Sequence, residues 1–117
     1  MVKMYGIPNC DNIKKAVGWL QKNNVPFQFH DYKTEGIKAA TLKEWCRQKG
    51  WETIFNKRST TWKEISAASQ LTLNGEADAI QLMQQHTSII KRPVIEFKNE
   101  IIVGYNESTY IDKLLSK

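Results

Sequence analysis

The sequence predicts an α/β fold in which a β-α-β unit opens the chain, helices fill the middle, and a β-β-α unit closes it. Three observations lead there. Near the start, short runs of strand character flank a segment of helical period. Capping-box patterns cluster in the middle. The last third returns to strand-like runs and then ends in an amphipathic stripe.

Val2 to Gly6 reads as a strand that runs into the Gly6-Ile7-Pro8-Asn9 turn. Ile13, Ala16, Val17 and Leu20 then fall at helical spacing, with Lys14, Lys15, Gln21 and Lys22 on the other face, so a helix is expected from about Asp11 to Asn23. Asn24-Val25-Pro26 breaks it, and Phe27 to Asp31 alternates as a second strand, expected to lie parallel to the first. Thr41-Leu42-Lys43-Glu44 matches a capping box with Thr41 as N-cap, and its helix stops at Lys49-Gly50. Leu42, Trp45 and Cys46 share one face of that helix, which marks Cys46 as a core residue. A short apolar segment, Trp51 to Phe55, leads to Asn56-Lys57-Arg58-Ser59-Thr60. Thr61-Trp62-Lys63-Glu64 is a second capping box, opening a short helix expected to reach Ala68. A further helix is expected after Asn74-Gly75, to about Gln85. Val94 to Phe97, a Lys98-Asn99 turn and Ile101 to Gly104 read as an antiparallel hairpin. Asn106 fits as N-cap of the last helix, with Tyr110, Ile111, Leu114 and Leu115 as its buried stripe.

Composition bounds the function. The chain has 117 residues, 41% hydrophobic and 25% charged, the make-up of one ordinary globular domain with a core that needs no disulfide or metal staple. Two cysteines are too few for a secreted disulfide scaffold. No apolar stretch approaches a membrane span, and the N-terminus reads as a strand rather than a signal peptide, so a cytoplasmic protein with no membrane partner is expected. The net charge of +5 favours anionic partners, but the lysines are spread along helix faces without a nucleic-acid-reading motif. Neither His30 nor His86 has the cysteine or carboxylate spacing of a metal ligand.

Cys10 is the residue that points to chemistry. It stands where the first turn meets the first helix, beside the unpaired N–H groups of the opening helical turn and at the positive end of its dipole. A helix start of that kind favours the thiolate, which is the nucleophilic form, and Lys14 and Lys15 add positive field. Asp11 works mildly against it.

Four blocks of the sequence, in order, carry a family resemblance: Tyr5-Gly6-Ile7-Pro8-Asn9-Cys10-Asp11-Asn12-Ile13-Lys14-Lys15-Ala16, His30-Asp31-Tyr32, Asn56-Lys57-Arg58-Ser59-Thr60-Thr61-Trp62, and Ile90-Lys91-Arg92-Pro93-Val94. With them, essentially the whole chain resembles the arsenate reductase-like (ArsC) family, which also holds Spx-type regulators of RNA polymerase and the small YffB-type proteins. The wording of the blocks is closest to the YffB-type branch. The resemblance implies a thioredoxin-like fold with a helical insert: residues 1–117 as a single domain, its halves at about 1–36 and 87–117, its insert at about 37–86. It implies a nucleophilic cysteine at Cys10 and two arginines, Arg58 and Arg92, that hold negative charge beside it. The helix-start amides of residues 9–11 are expected to stabilise substrate charge and Lys14 to add positive field, so Asn9, Asp11 and Lys14 join Pro93, which resembles the family's cis-proline, as expected substrate-binding residues.

The function implied is that of a thiol-dependent reductase using one cysteine, with glutathione as co-substrate rather than a tightly bound cofactor. Its substrate is a disulfide, mixed disulfide or oxyanion, and glutaredoxin is a further partner that the resemblance suggests. The alternative is an Spx-like regulator that binds the RNA polymerase alpha subunit without catalysis. Two departures sharpen the choice. Val103-Gly104-Tyr105-Asn106 stands where the arsenate reductases carry a third arginine, so efficient arsenate reduction is not expected. Ile13 stands three residues beyond Cys10, so there is no Cys-x-x-Cys pair, and a mixed disulfide at Cys10 needs an external thiol to resolve it.

Overall fold

Four strands form one mixed sheet in the order β2-β1-β3-β4, seen in a computed structural model that describes residues 1–115. β1 (Val2–Gly6) and β2 (Phe27–Asp31) pair in parallel, joined by α1 (Asp11–Lys22). β3 (Val94–Phe97) runs antiparallel to β1 and forms a hairpin with β4 (Glu100–Val103). The hairpin turns at Lys98 and Asn99, both in the left-handed region with φ of 51° and 66°. These elements, with residues 1–34 and the described residues from Arg92 onward, make one compact unit; Glu35–Lys91 makes another.

In the first unit the sheet buries one face against α1 and the C-terminal helix. Val2 and Met4 of β1 meet Ile13, Ala16, Trp19 and Leu20 of α1, together with Ile95, Ile102, Tyr110 and Leu114. Each fully buried side chain of this size contributes about 1.5–3 kcal/mol, so this face dominates the unit's stability. Gly6 ends β1 because the chain there passes against Ile13: a Cβ at this position would run into Ile13 Cδ1. The last helix starts as expected, Asn106 accepting a hydrogen bond from the Thr109 N–H at 3.0 Å to cap α8 (Glu107–Tyr110). Its buried stripe is narrower than the sequence suggests. The backbone widens into a π-helical turn over Ile111–Leu115, which leaves Tyr110 and Leu114 inside and Ile111 and Leu115 exposed.

The second unit is helical. α2 (Tyr32–Glu35) ends the first unit's β2 and runs into it, and α3 (Ala39–Lys49), α4 (Trp51–Ile54), α5 (Thr60–Glu64), α6 (Ala67–Gln70) and α7 (Glu76–Gln85) follow. Its core holds Leu42, Trp45, Cys46, Ile54, Phe55, Ile80, Leu82 and Met83. Both capping boxes are displaced. α3 begins at Ala39 with Lys38 at the N-cap, so Thr41 lies within the helix; two good helix formers, Ala39 and Ala40, extend it backward. α5 is capped by Ser59, whose Oγ accepts from the Trp62 N–H at 3.1 Å, while the Thr61 hydroxyl pairs with Ser88 instead. The helix expected to reach Ala68 stops at Glu64. Ile65 turns extended, and Ser66 caps α6 separately by accepting from the Ser69 N–H. The apolar segment at Trp51 becomes the single-turn α4. Among the described residues no helix is long and apolar enough to cross a membrane.

Candidate functional site

The register of the sheet decides what gathers at one edge of the first unit. Gly6 lies opposite Asp31, and Tyr5 lies opposite both His30 and Val94. The C-terminal ends of β1 and β2 and the N-terminal end of β3 therefore share an edge. Three segments meet that edge: the turn to Cys10, the residue Tyr32, and the Arg92-Pro93 pair.

Cys10 is the N-cap residue of α1, with an extended backbone (φ −89°, ψ 137°) and no hydrogen bond from its side chain to the cap amides. Its carbonyl accepts from the Lys14 N–H at 3.0 Å, closing the first helical turn. The side chain is half-buried and rests against the first unit's apolar core. Asn9 precedes it in the left-handed region (φ 70°), a conformation that asparagine tolerates better than most residues, and this is what swings the chain from the turn into the helix. Asn9, Asp11 and Lys14 are all exposed, and Asp11 is the acidic residue of the first turn.

Across the edge, the Arg92–Pro93 peptide is cis, Pro93 is buried and Arg92 is half-exposed. Arg58 belongs to the second unit. It is exposed, its N–H donates to Asn56 Oδ1 at 3.0 Å, and Ser59 beside it caps α5. The Asn56 N–H in turn donates to the Ile89 carbonyl at 2.8 Å, so the loop bearing Arg58 is anchored through Asn56. Lys57, next to it, places its Nζ 5.9 Å from the Trp51 ring centroid.

The second cysteine has different surroundings. Cys46 is buried on α3, and burial, with the charge of Glu76 adding to it, pushes its thiol up to about 11. Among the described residues, no group of three or more histidines, cysteines and carboxylates is placed to hold a metal ion.

One polar cluster at the edge escaped sequence reasoning. Tyr5, His30 and Tyr32 stack on the sheet face opposite α1, with ring centroids 4.8 Å apart for Tyr5–His30, 6.2 Å for Tyr5–Tyr32 and 6.0 Å for His30–Tyr32. The Tyr5 hydroxyl donates to Glu96 Oε1 at 2.7 Å, and Lys3 Nζ lies 5.1 Å from the Tyr5 ring centroid. Tyr32 is only 2% exposed, and among the described residues its hydroxyl has no hydrogen-bond partner. An orphaned buried hydroxyl costs about 1–3 kcal/mol, and native structures rarely keep one without a reason. Burial raises its pKa well above the ordinary tyrosine range; Tyr5 and Glu96 push the same way, and the positive charge of Arg92 opposes them. The signal was present in the sequence: Gln28, His30 and Tyr32 continue one period-two face past the end of the strand.

Residues 5–112 match the ArsC family. The solved structure of a YFFB protein superposes with a TM-score of 0.93 at 39% identity, covering 97% of this chain and 99% of that one. An uncharacterized protein of Haemophilus influenzae is 36% identical over 110 residues, 94% of this chain and 96% of its own length. The global transcriptional regulator Spx of Lactiplantibacillus plantarum is 29% identical over 110 residues, 92% of this chain and 81% of its own.

Proposed function

This chain belongs to the ArsC family, and on that footing we propose that it is a glutathione-dependent thiol reductase working through Cys10 alone. The observation that carries the reading is the contrast between its two thiols. Cys10 is half-exposed at the start of α1 with its sulfur uncommitted to any cap, whereas Cys46 is buried in a helical core. A nucleophile must reach its substrate, and only the first meets that condition.

In the proposed cycle the Cys10 thiolate attacks the glutathione sulfur of a mixed disulfide. The Cys10–glutathione disulfide forms, the substrate sulfur leaves as a thiolate, and it takes a proton from water. A second glutathione, as thiolate, then attacks the sulfur of the bound glutathione. Glutathione disulfide leaves and Cys10 returns as thiolate, so one mixed disulfide and one glutathione thiol give one free substrate thiol and one glutathione disulfide. The external thiol is required because Ile13 occupies the position where a resolving cysteine would stand. Arg92, at the shared edge, suits the carboxylates of glutathione, since a guanidinium presents a planar fork of donors. Arg58 is assigned the same role on the strength of the family match. The stretch Val103 to Asn106 lacks the family's third arginine, so we expect arsenate to be a poor substrate.

Intact-mass analysis after incubation with glutathione disulfide tests this directly. One glutathione adduct at Cys10 is expected, none at Cys46, and none in Cys10→Ser. In a coupled assay, turnover of a glutathionylated peptide should vanish in Cys10→Ser and fall at least tenfold in Arg92→Ala. A wild-type protein that stays unmodified would reject the reading.

The match to Spx over 92% of this chain favours a second reading, a regulator that docks on RNA polymerase. The net charge of +5 suits an acidic partner face. A low-salt pull-down with the isolated C-terminal domain of the polymerase's alpha chain separates the two, and no retained complex would remove this one.

A further inference from the structure

We propose that Tyr32 is a positioning residue for Arg92: when the anionic end of a thiol substrate arrives beside Cys10, the Tyr32 hydroxyl accepts a hydrogen bond from the guanidinium and fixes the direction of its remaining donors. This role rests on the reductase reading, and it adds to that reading a residue that sets substrate affinity.

The placement comes from the sheet. Tyr32 follows Asp31, which lies opposite Gly6, and Arg92 stands two residues before Val94, which lies opposite Tyr5. Both residues thus stand at the edge where β1 runs into the Cys10 turn. The phenol is held rigidly, 2% exposed and within ring contact of Tyr5 and His30. Its oxygen is unspent: Tyr5 donates to Glu96, while the Tyr32 oxygen has neither donor nor acceptor among the described residues. The positive charge of Arg92 acts on this phenol, opposing the rise that burial causes. Arg92 itself is half-exposed, so its long side chain has freedom to lose when an anion binds. A fixed acceptor behind a mobile guanidinium lowers the ordering cost of binding, which is the physical content of preorganisation. A phenol kept neutral by burial also accepts from Arg92 without cancelling the positive charge that the substrate needs.

Tyr32→Phe is a clean test because it removes only an oxygen that makes no hydrogen bond. The thermal midpoint should stay the same or rise, and the alkylation rate of Cys10 by uncharged iodoacetamide should not change. For a glutathionylated peptide, KM should rise five- to tenfold while kcat changes less than twofold. Added to Arg92→Ala, the substitution should cost nothing further, because the residue acts only through that guanidinium. Three results overturn the proposal: an unchanged KM, a lowered thermal midpoint that reveals a structural role, or a KM effect that multiplies with that of Arg92→Ala. A wild-type protein that takes up no glutathione overturns the reductase reading and this role with it. Uptake by the wild type with an unaffected Tyr32→Phe overturns this role alone.

Discussion

Gly6 shows how much a single side chain decides at this site. It is the last residue of β1, it lies opposite Asp31, and a Cβ there meets Ile13 Cδ1 at the heart of the α1 contact. The close approach of strand and helix brings the chain round to Cys10 within one short turn. Ile13 is 4% exposed and has little room to yield. Gly6→Ala should therefore destabilise the protein by about 1–3 kcal/mol, the usual cost of overpacking. Urea denaturation measures it, and Ile13→Val in the same background should recover part of the loss by shortening the clashing branch. Cys10 and Cys46 make the same point from chemistry: one sulfur stands half in the open at a helix start, while the other packs as a small apolar side chain.

At the scale of elements, caps rather than propensity fix where the short helices lie. α5 and α6 have five and four residues, too few to be stable by themselves, and each is opened by a serine whose oxygen accepts a backbone N–H. Ser59 matters most because it follows Arg58 and is itself buried. Ser59→Ala should cost about 1 kcal/mol, the ordinary value of a lost N-cap, while Thr61→Ala, at the residue the sequence pattern marks as the cap, should leave the start of α5 unchanged. Amide hydrogen exchange at Trp62 reports the difference: faster exchange is expected in Ser59→Ala and no change in Thr61→Ala. Sequence reasoning placed the cap two residues late because Thr61-Trp62-Lys63-Glu64 matches a capping box, whereas the residue three beyond Ser59 is Trp62. Only the pairing of the Thr61 hydroxyl with Ser88, 27 residues on, separates them.

For the whole molecule, buried acids that stay neutral set the response to pH. Burial pushes the Cys46 thiol up to about 11 and raises the Tyr32 and Tyr110 phenols above their ordinary range. On raising the pH, the unfolded chain gives up these protons first, from about pH 8.5 for the thiol and about pH 10 for the phenols. It then binds fewer protons than the folded state, so stability is fully present below about pH 8.5 and is lost progressively through pH 11. The urea midpoint should fall steadily across that interval, and Cys46→Ala should flatten its first part. The β-α-β and β-β-α ends, the Asn106 cap, the core face of α3 and the thiol at the first helix start could all be read from the bare chain. Each of these is written in local period, turn chemistry or capping, which neighbours along the chain are enough to specify. Folding in three dimensions was needed to settle which serine or threonine caps α5, which half of the last helix turns inward, and that Tyr32 and Arg92 share an edge with Cys10. Those outcomes depend on strand register and on contacts between residues far apart in sequence, and no short stretch of the chain holds both partners.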